Sequence, residues 1–382
     1  MREIYLDCNA STPIDPAVAD AMRPFLEQAQ GNPSSLHWAG RPARAAVDHA
    51  RSQVAALIGA EAREIVFTSG GSEASNHALK GYWFRHGRPG GHFITSSVEH
   101  PATLNPLRFL ERLGAEVTVL PVDRFGRVDP GEVERALRPD TLLVSLMHSN
   151  NEVGTLQPIA EVGALTRARG VRFHVDGAQS VGKVPLDVGA LGIDLLSIAG
   201  HKLYAPKGVG ALYLRRGVEL EPLVHGAAHE EGRRAGTENV LLAVGLGAAC
   251  DLAHRFLDHP EAEGGPEAIR VLRDRFEQTL RARFGAAVTF NGHPDLRLPN
   301  TASVNFVGSV GADLLASLDG VAASTGSACH AGSVELSGVL RAMGVPPEEG
   351  MGAIRFSLGR ATTWSELATV LDLLSARLGG QA

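Results

Sequence analysis

A chain of 382 residues, 44% hydrophobic and 20% charged, is long enough for two or three domains and apolar enough to bury a sizeable core. Its net charge of −6 and the lack of any long Lys/Arg run argue against nucleic-acid binding. Three cysteines are too few for a disulfide framework and fit a reducing cytoplasm, and neither a signal-peptide core nor an uninterrupted membrane-length apolar run is present, so no membrane association is expected.

The chain opens with a short strand-like run that stops at Asp7-Cys8-Asn9-Ala10-Ser11-Thr12-Pro13. Residues 15–30 read as a helix, and Gly31 to His37 as a turn-rich loop that also suits a plain surface connector. Arg41 to Ile58 places Ala43, Ala46, Val47, Ala50, Val54 and Leu57 at three-to-four spacing, the signature of a helix with one apolar face. From Glu64 strands and helices alternate. Strands are predicted at Glu64–Thr68, His92–Ser96, Glu116–Pro121, Thr141–Met147, Arg172–Val175, Asp194–Ile198 and Gly210–Leu214. That alternation predicts an α/β fold, a mainly parallel seven-stranded sheet covered by helices. Residues 239–257 read as a long apolar helix, and Asp258 to Gly265 as the domain boundary. Beyond it a smaller α+β domain is expected: a helix over 266–283, strands near 287–290, 302–306 and 353–357, a loop carrying Cys329, and a last helix from Thr363. The expected division is 15–257 for the large domain, with 1–14 and 258–382 forming the small one.

Several of the chemistry-bearing residues follow strands. Open α/β sheets bind ligands outside the carboxyl ends of their strands. Lys202 stands just past one such end, where partial desolvation lowers an amine's pKa and makes it a nucleophile or base. A lysine of this kind can form a Schiff base with a carbonyl cofactor such as pyridoxal phosphate, whose ring nitrogen needs an acid; Asp176 ends the preceding predicted strand. Thr68-Ser69-Gly70-Gly71-Ser72-Glu73 follows a strand and opens a helix, as a phosphate site does, although Ser72 also suits a simple helix cap. His100, Asn151 and Gln179 follow further strands, His100 able to stack on a ring or move protons. None of the fifteen histidines has zinc-type spacing with a third ligand, so no metal site is expected. Cys329 lies among small residues, Gly326-Ser327-Ala328-Cys329-His330-Ala331-Gly332, a setting for a thiol that must move; Cys8 and Cys250 read as structural. Arg355 has the planar fork for a carboxylate, and a surface ion pair is its alternative.

These motifs, with Gly31-Asn32-Pro33-Ser34-Ser35, Glu99-His100-Pro101, Asn150-Asn151-Glu152, His201-Lys202, Gly236-Thr237-Glu238-Asn239 and Arg355-Phe356-Ser357-Leu358-Gly359-Arg360, carry a resemblance. The chain resembles the pyridoxal-phosphate-dependent cysteine desulfurases, the NifS/IscS-like branch of the class V aminotransferases, from its first strand to its last helix. The resemblance implies a fold-type I enzyme, a homodimer with sites at the subunit interface. It implies conversion of L-cysteine to alanine, with sulfur passing to an enzyme persulfide and on to an acceptor protein such as an iron–sulfur scaffold. Lys202 would hold the cofactor and move the substrate α-proton. Asp176 would pair with the pyridine nitrogen, His100 would stack on the ring, and Asn151 and Gln179 would contact its oxygen. Gly71, Ser72 and His201 would hold the phosphate, with Thr237 reaching it from the other subunit. Asn32 and Arg355 would bind the substrate carboxylate, and Cys329 would take the sulfur.

Two single positions and one segment depart from the family pattern. Ala199 stands where a serine is usual, Ser72 where threonine is common, and Gly226-Ala227-Ala228-His229-Glu230-Glu231 replaces a Gly-Gly-Gly-Gln-Glu-Arg run. These changes bear on phosphate affinity and on the interface loop. His330 after the cysteine also occurs in selenocysteine-lyase-like relatives, so selenocysteine lyase is the alternative activity.

Overall fold

A computed structural model describes residues 3–28, 30–325, 327–330 and 333–379; side-chain placement over 326–334 lies outside the described residues. The strands, in chain order, are β1 (Ile4–Tyr5), β2 (Ile65–Thr68), β3 (His92–Ser96), β4 (Glu116–Leu120), β5 (Thr141–Met147), β6 (Arg172–Asp176), β7 (Leu195–Ala199) and β8 (Gly210–Leu214). They continue with β9 (Val288–Asn291), β10 (Thr301–Phe306), β11 (Val321–Ala322), β12 (Ser324–Thr325), β13 (Ser327–His330), β14 (Ser333–Leu336) and β15 (Ala353–Ser357). The large sheet has seven strands in the order β2-β8-β7-β6-β5-β3-β4. Its neighbours are parallel except where β8 meets β2 and β7. The fold is therefore α/β with a mainly parallel sheet, as expected.

The strands formed where apolar runs were continuous. Those of β5, β7 and β8 are buried almost throughout, which is what a sheet covered on both faces requires. One face packs on the helices Gly40–Leu57 and Val240–Asp258. Asn239 starts the second of these by accepting the Leu242 N–H at 3.1 Å. The two helices meet closely at Gly247, where a Cβ would stand 2.6 Å from the Ala50 Cα. By length and composition Val240–Asp258 is apolar enough to cross a membrane, which the sequence reading expected of no segment; here Ala243, Leu246, Ala249, Cys250 and Ala253 are buried in the core.

A second apolar core lies under a four-stranded antiparallel sheet, β12-β15-β10-β9. The helices Pro266–Phe284 and Trp364–Leu378 cover it, with Phe276 edge-on to Phe356 at 5.3 Å. Full burial of side chains of this size is worth roughly 1.5–3 kcal/mol each. Thr363 and Glu366 form a reciprocal cap on the last helix, which is why it starts at the expected residue. β1 pairs in parallel with β11, and Asp7 bridges to Ser357, so the first residues of the chain belong to this second sheet system.

The segment expected as a loop around Cys329 is a hairpin. β13 pairs antiparallel with β14, and Cys329 lies opposite Val334. Val98, Met147, Val153, Val339, Leu340, Met343 and Ala353 form a further cluster that joins the carboxyl ends of β3 and β5 to the helix after the hairpin and to β15.

Candidate active site

Strands β2, β3, β5, β6 and β7 all end on one edge of the large sheet, and β8 begins there. Residues just beyond those ends surround a cavity of about 710 Å³. Gly71, Ser72, His100, Asn151, Asp176, Gln179, His201, Lys202 and Arg355 all line it. The parallel register that sets Met147 beside Asp176 and Asp176 beside Ser197 places these side chains on a common rim.

The glycine turn after β2 starts the helix Gly71–Asn76 with Gly70 at φ 152° and no side-chain cap. The alternative reading of Ser72 as a cap is thereby corrected: Ser72 lies inside the helix and faces the cavity. Glu73 instead turns back, accepting the Ser69 N–H at 2.7 Å and pairing with Arg234 at 2.9 Å. Burial would raise the Glu73 pKa, but these partners hold it below its ordinary value. A Cβ on Gly71 would sit 3.0 Å from the Ala199 Cβ, so the helix start rests directly on the end of β7. Uncapped N–H groups at such a start suit an anion. His201 and Lys207 stand on the same wall; burial, then Lys202 and Lys207, press the His201 pKa down to about 4, so its ring is neutral.

Lys202 Nζ donates to the carbonyls of Asn9 at 2.6 Å and Ala10 at 2.7 Å. Burial and the Arg355 charge lower its pKa to about 8, against the opposing pull of Asp7 and Asp176. Asp176 is buried, accepts the Ala178 N–H at 2.9 Å, and has a pKa raised by burial. A cation set against that carboxylate would draw the pKa back down. His100 caps the helix Pro101–Glu111: its Nδ1 accepts the Ala102 N–H at 3.1 Å. The capping bond assigns the proton of the neutral ring to Nε2. Its neighbour Glu99 is buried at pKa about 8, with Oε1 accepting from Ser96 and from the Met147 N–H and Oε2 without a partner among the described residues. It ties the turn carrying His100 to the end of β5.

Arg355 is buried and paired with Asp7 at 2.6 Å. It also donates to Ser324 Oγ at 2.8 Å and to the Asn151 carbonyl at 3.0 Å, which engages three of its five N–H groups. Among the described residues its Nε–H is buried without a partner, beside the cavity. Arg355 is thus no surface ion pair. Ser324 lies opposite Arg355 in the β12–β15 register and begins the approach to the hairpin that carries Cys329. The Cys329 thiol itself lies outside the described residues.

Two expected residues fall elsewhere. Asn32 does not line the cavity; its Oδ1 accepts the Ser34 N–H at 2.8 Å and closes a turn. Thr237 lines an adjoining pocket with Ser69, Gly208 and Val209. The departing segment before it is pinned by Glu230, which binds Arg51 at 2.6 and 2.9 Å and takes the Phe67 N–H at 3.1 Å, although Glu230 and Glu231 both adopt positive φ. Sequence reasoning missed Asn9 and Lys183. Asn9 is buried, with its carbonyl accepting from Gln179 and Lys202 and its side chain bound to Lys183, Asn300, Thr301 and the Asn151 carbonyl. Lys183 is four residues after Gln179 and reaches its Oε1 at 2.8 Å. That spacing was the available signal.

The cavity's donor set fits pyridoxal phosphate: an uncapped helix start for a phosphate, a buried carboxylate for a ring nitrogen, and a lysine with a lowered pKa. Comparison with known proteins gives the family. The family model described as aminotransferase class-V matches residues 4–370. A protein named cysteine desulfurase IscS from Dictyoglomus turgidum is 48% identical over 375 residues, 98% of this chain and 94% of the relative. A solved NifS-like protein superposes with a TM-score of 0.91 at 34% identity, covering 99% of each chain. SspA, solved in complex with cysteine, gives 0.83 at 37% identity over 94% of this chain and 100% of its own. These relatives do not favour the selenocysteine-lyase alternative. A full-length family match and relatives of this identity place the chain in the aminotransferase class-V family, among its cysteine desulfurases.

Proposed function

We propose that the cavity holds pyridoxal phosphate together with L-cysteine, and that the residues around it divide the work of desulfuration. The cofactor, when bound, supplies an electron sink that makes the substrate α-proton acidic. Lys202 Nζ would hold the cofactor and would take the substrate α-proton; a lowered amine pKa suits both tasks. Asp176 would hold the proton on the pyridine nitrogen, and His100 would face the ring with Nε2–H as donor. Gly71 N–H, Ser72 and His201 would hold the phosphate. Asn151 and Gln179 line the wall where the ring oxygen would lie; Gln179 keeps one N–H of its amide for a ligand, the other being on the Asn9 carbonyl. The Cys329 thiolate attacks the substrate sulfur: an S–S bond forms as the Cβ–S bond breaks, the bonding pair stays on carbon, and protonation there yields alanine. The persulfide on Cys329 then passes its outer sulfur to an acceptor thiol, an iron–sulfur scaffold being one candidate.

The observation that carries this reading is the meeting of Lys202, Asp176 and Arg355 in one cavity. We read 15–257 as the large unit and 1–14 with 258–382 as the small one, since their apolar cores separate in this way. A homodimer is supported by the strongly exposed Leu36 and Trp38, at 87% and 80%, and would give Asn32 and Thr237 a partner's cavity to reach. A cytoplasmic setting fits the unpaired thiols of Cys8 and Cys250. Purified protein loaded with pyridoxal phosphate should release alanine from cysteine, and sulfide once a reductant is present, in equal amounts. Protein that stays colourless with the cofactor and forms no alanine would exclude the activity, and faster turnover of selenocysteine alone would restore the lyase alternative.

Arg355 offers a narrower test. Substrate carboxylate would use the Nε–H or the second Nη1–H, or displace part of the Asp7 contact, and each depends on the guanidinium fork. Arg355→Lys keeps the charge and loses the fork. Losing a hydrogen bond between charged groups costs about 1.5–3 kcal/mol, so the KM for cysteine should rise about ten- to a hundredfold with the cofactor spectrum unchanged. An unaltered KM with lowered thermal stability would make Arg355 a purely structural partner of Asp7.

A further inference from the structure

The hairpin that carries Cys329 has two feet, and both are tied to one turn beside the cavity. The first foot is Ser324. Its Oγ donates to Asp7 Oδ1 at 2.8 Å and accepts from Arg355 Nη2 at 2.8 Å, while Arg355 Nη1 donates to the Asn151 carbonyl at 3.0 Å. The second foot is Ser337, the residue after β14. It caps the helix Gly338–Ala342, accepting the Val339 N–H at 3.1 Å and the Leu340 N–H at 3.4 Å. The Ser337 hydroxyl donates to Glu152 Oε2. Glu152 follows Asn151 directly in the chain. The turn is itself held, because Asn150 Oδ1 accepts the Glu152 N–H at 2.8 Å and the Val153 N–H at 3.0 Å. The reaction as described uses the first foot, through Arg355, and gives Glu152 no task.

We propose that, in the desulfurase reading on which this rests, Glu152 is a positioning residue for the sulfur-transfer step: by holding Ser337 it fixes the second foot of the Cys329 hairpin relative to the cavity.

The topology makes the feet matter. Among the described residues β13 and β14 pair only with each other and join neither larger sheet. A two-stranded hairpin is marginal by itself, so its direction depends on what holds its ends. Leu336, next to Ser337, pairs with Ser327, and Val334 pairs with Cys329, so a shift at the second foot passes along the ladder to Cys329. Burial raises the Glu152 pKa, against the pull of the Ser337 hydrogen bond and the Arg355 charge. Ser337 needs only an acceptor oxygen, which a carboxyl keeps in either protonation state. Glu152→Gln therefore removes the charge and keeps the acceptor, and Glu152→Ala removes both. Val339, Leu340 and Met343 still pack on Val98, Met147 and Val153 in either variant, so the helix keeps its apolar support.

The test uses full-length protein loaded with pyridoxal phosphate and cysteine deuterated at Cα. Loss of deuterium to solvent reports on Lys202 and does not need Cys329. Mass spectrometry of the Cys329 peptide within one turnover reports on the sulfur. Glu152→Ala should slow persulfide formation about tenfold or more, since about 1 Å of misplacement can cost on the order of a hundredfold, while deuterium loss stays within about twofold of wild type. Glu152→Gln should restore the wild-type rate of both. Ser337→Ala should reproduce the Glu152→Ala pattern, and the double variant should be no slower than either single one, because the two side chains act as a unit. Persulfide formation at the wild-type rate in Glu152→Ala, or an equal fall in both rates, would overturn the proposal. Wild-type protein that loses deuterium yet puts no sulfur on Cys329 would overturn the desulfurase reading itself, a failure seen before any variant is made. If Glu152→Ala does not fold, Ser337→Ala decides.

Discussion

Replacing Cys329 with alanine should reduce alanine and sulfide release from cysteine on the order of a thousandfold or more, because it removes the nucleophile rather than a binding contact. Carbon–sulfur cleavage needs an acceptor for the sulfur, and a thiolate is the best the chain offers. Three cysteines are present. Cys8 and Cys250 are buried, and burial raises the pKa of both thiols, Cys8 to about 11 and Cys250 further. Neither forms a thiolate readily near neutral pH. Cys329 stands instead on a two-stranded hairpin whose approach, Ser324, is held by Arg355 at the cavity edge. The Cys329→Ala variant should still exchange the substrate α-proton, since Lys202, Asp176 and Arg355 are untouched. Cys8→Ala and Cys250→Ala should stay active, apart from any loss of stability. After one turnover without reductant, mass spectrometry of the wild-type protein should find one extra sulfur on the Cys329 peptide. Full desulfuration by Cys329→Ala would refute the mechanism; loss with cysteine but retention with selenocysteine would favour a lyase, whose weaker carbon–selenium bond needs less help.

Lys202→Ala should be about as damaging, since one side chain is asked both to hold the cofactor and to move the α-proton. Loss of a positioned general base alone costs roughly 10²–10⁴-fold. The variant should still bind some pyridoxal phosphate through the helix start, Ser72 and Asp176, but reduction with borohydride should leave no pyridoxyl group on it. In the wild-type protein the label should map to Lys202. The pH dependence carries a sign. An ordinary lysine, with a pKa of about 10.4, is almost wholly protonated at pH 8. Lys202 is half deprotonated near pH 8, because burial and Arg355 disfavour its ammonium. Cofactor capture by the unloaded protein should therefore rise steeply from pH 7 to pH 9 and then level off. Capture that keeps rising toward pH 10.5, or a label on Lys207, would mean that another amine does the work.

Much of this architecture was legible from residue order. The runs that became β5, β7 and β8 are short, apolar and closed by polar or glycine-containing turns, and local hydrophobic pattern is enough to specify a buried strand. Because parallel strands point the same way, residues that follow them must gather at one edge, so Gly71, His100, Asn151, Asp176 and Lys202 were correctly expected to share a pocket. The hairpin around Cys329 was not legible: Ser327-Ala328-Cys329-His330 has no alternation of apolar and polar residues to mark a strand. Ser72 was ambiguous for a similar reason, since a serine near a helix start reads as a cap until the backbone shows that Gly70 holds that position. Asn9 and Lys183 lie far apart in the chain, and no local pattern predicts that one asparagine will be shared by two lysines. The sequence alone thus determined the strands of the large sheet, their ends and the chemistry collected there, because those follow from short-range hydrophobic pattern and strand direction. Only the tertiary structure decided which donors share an acceptor, which charges face one another and which amine is left with a lowered pKa, because hydrogen bonds and desolvation depend on groups brought together by the fold.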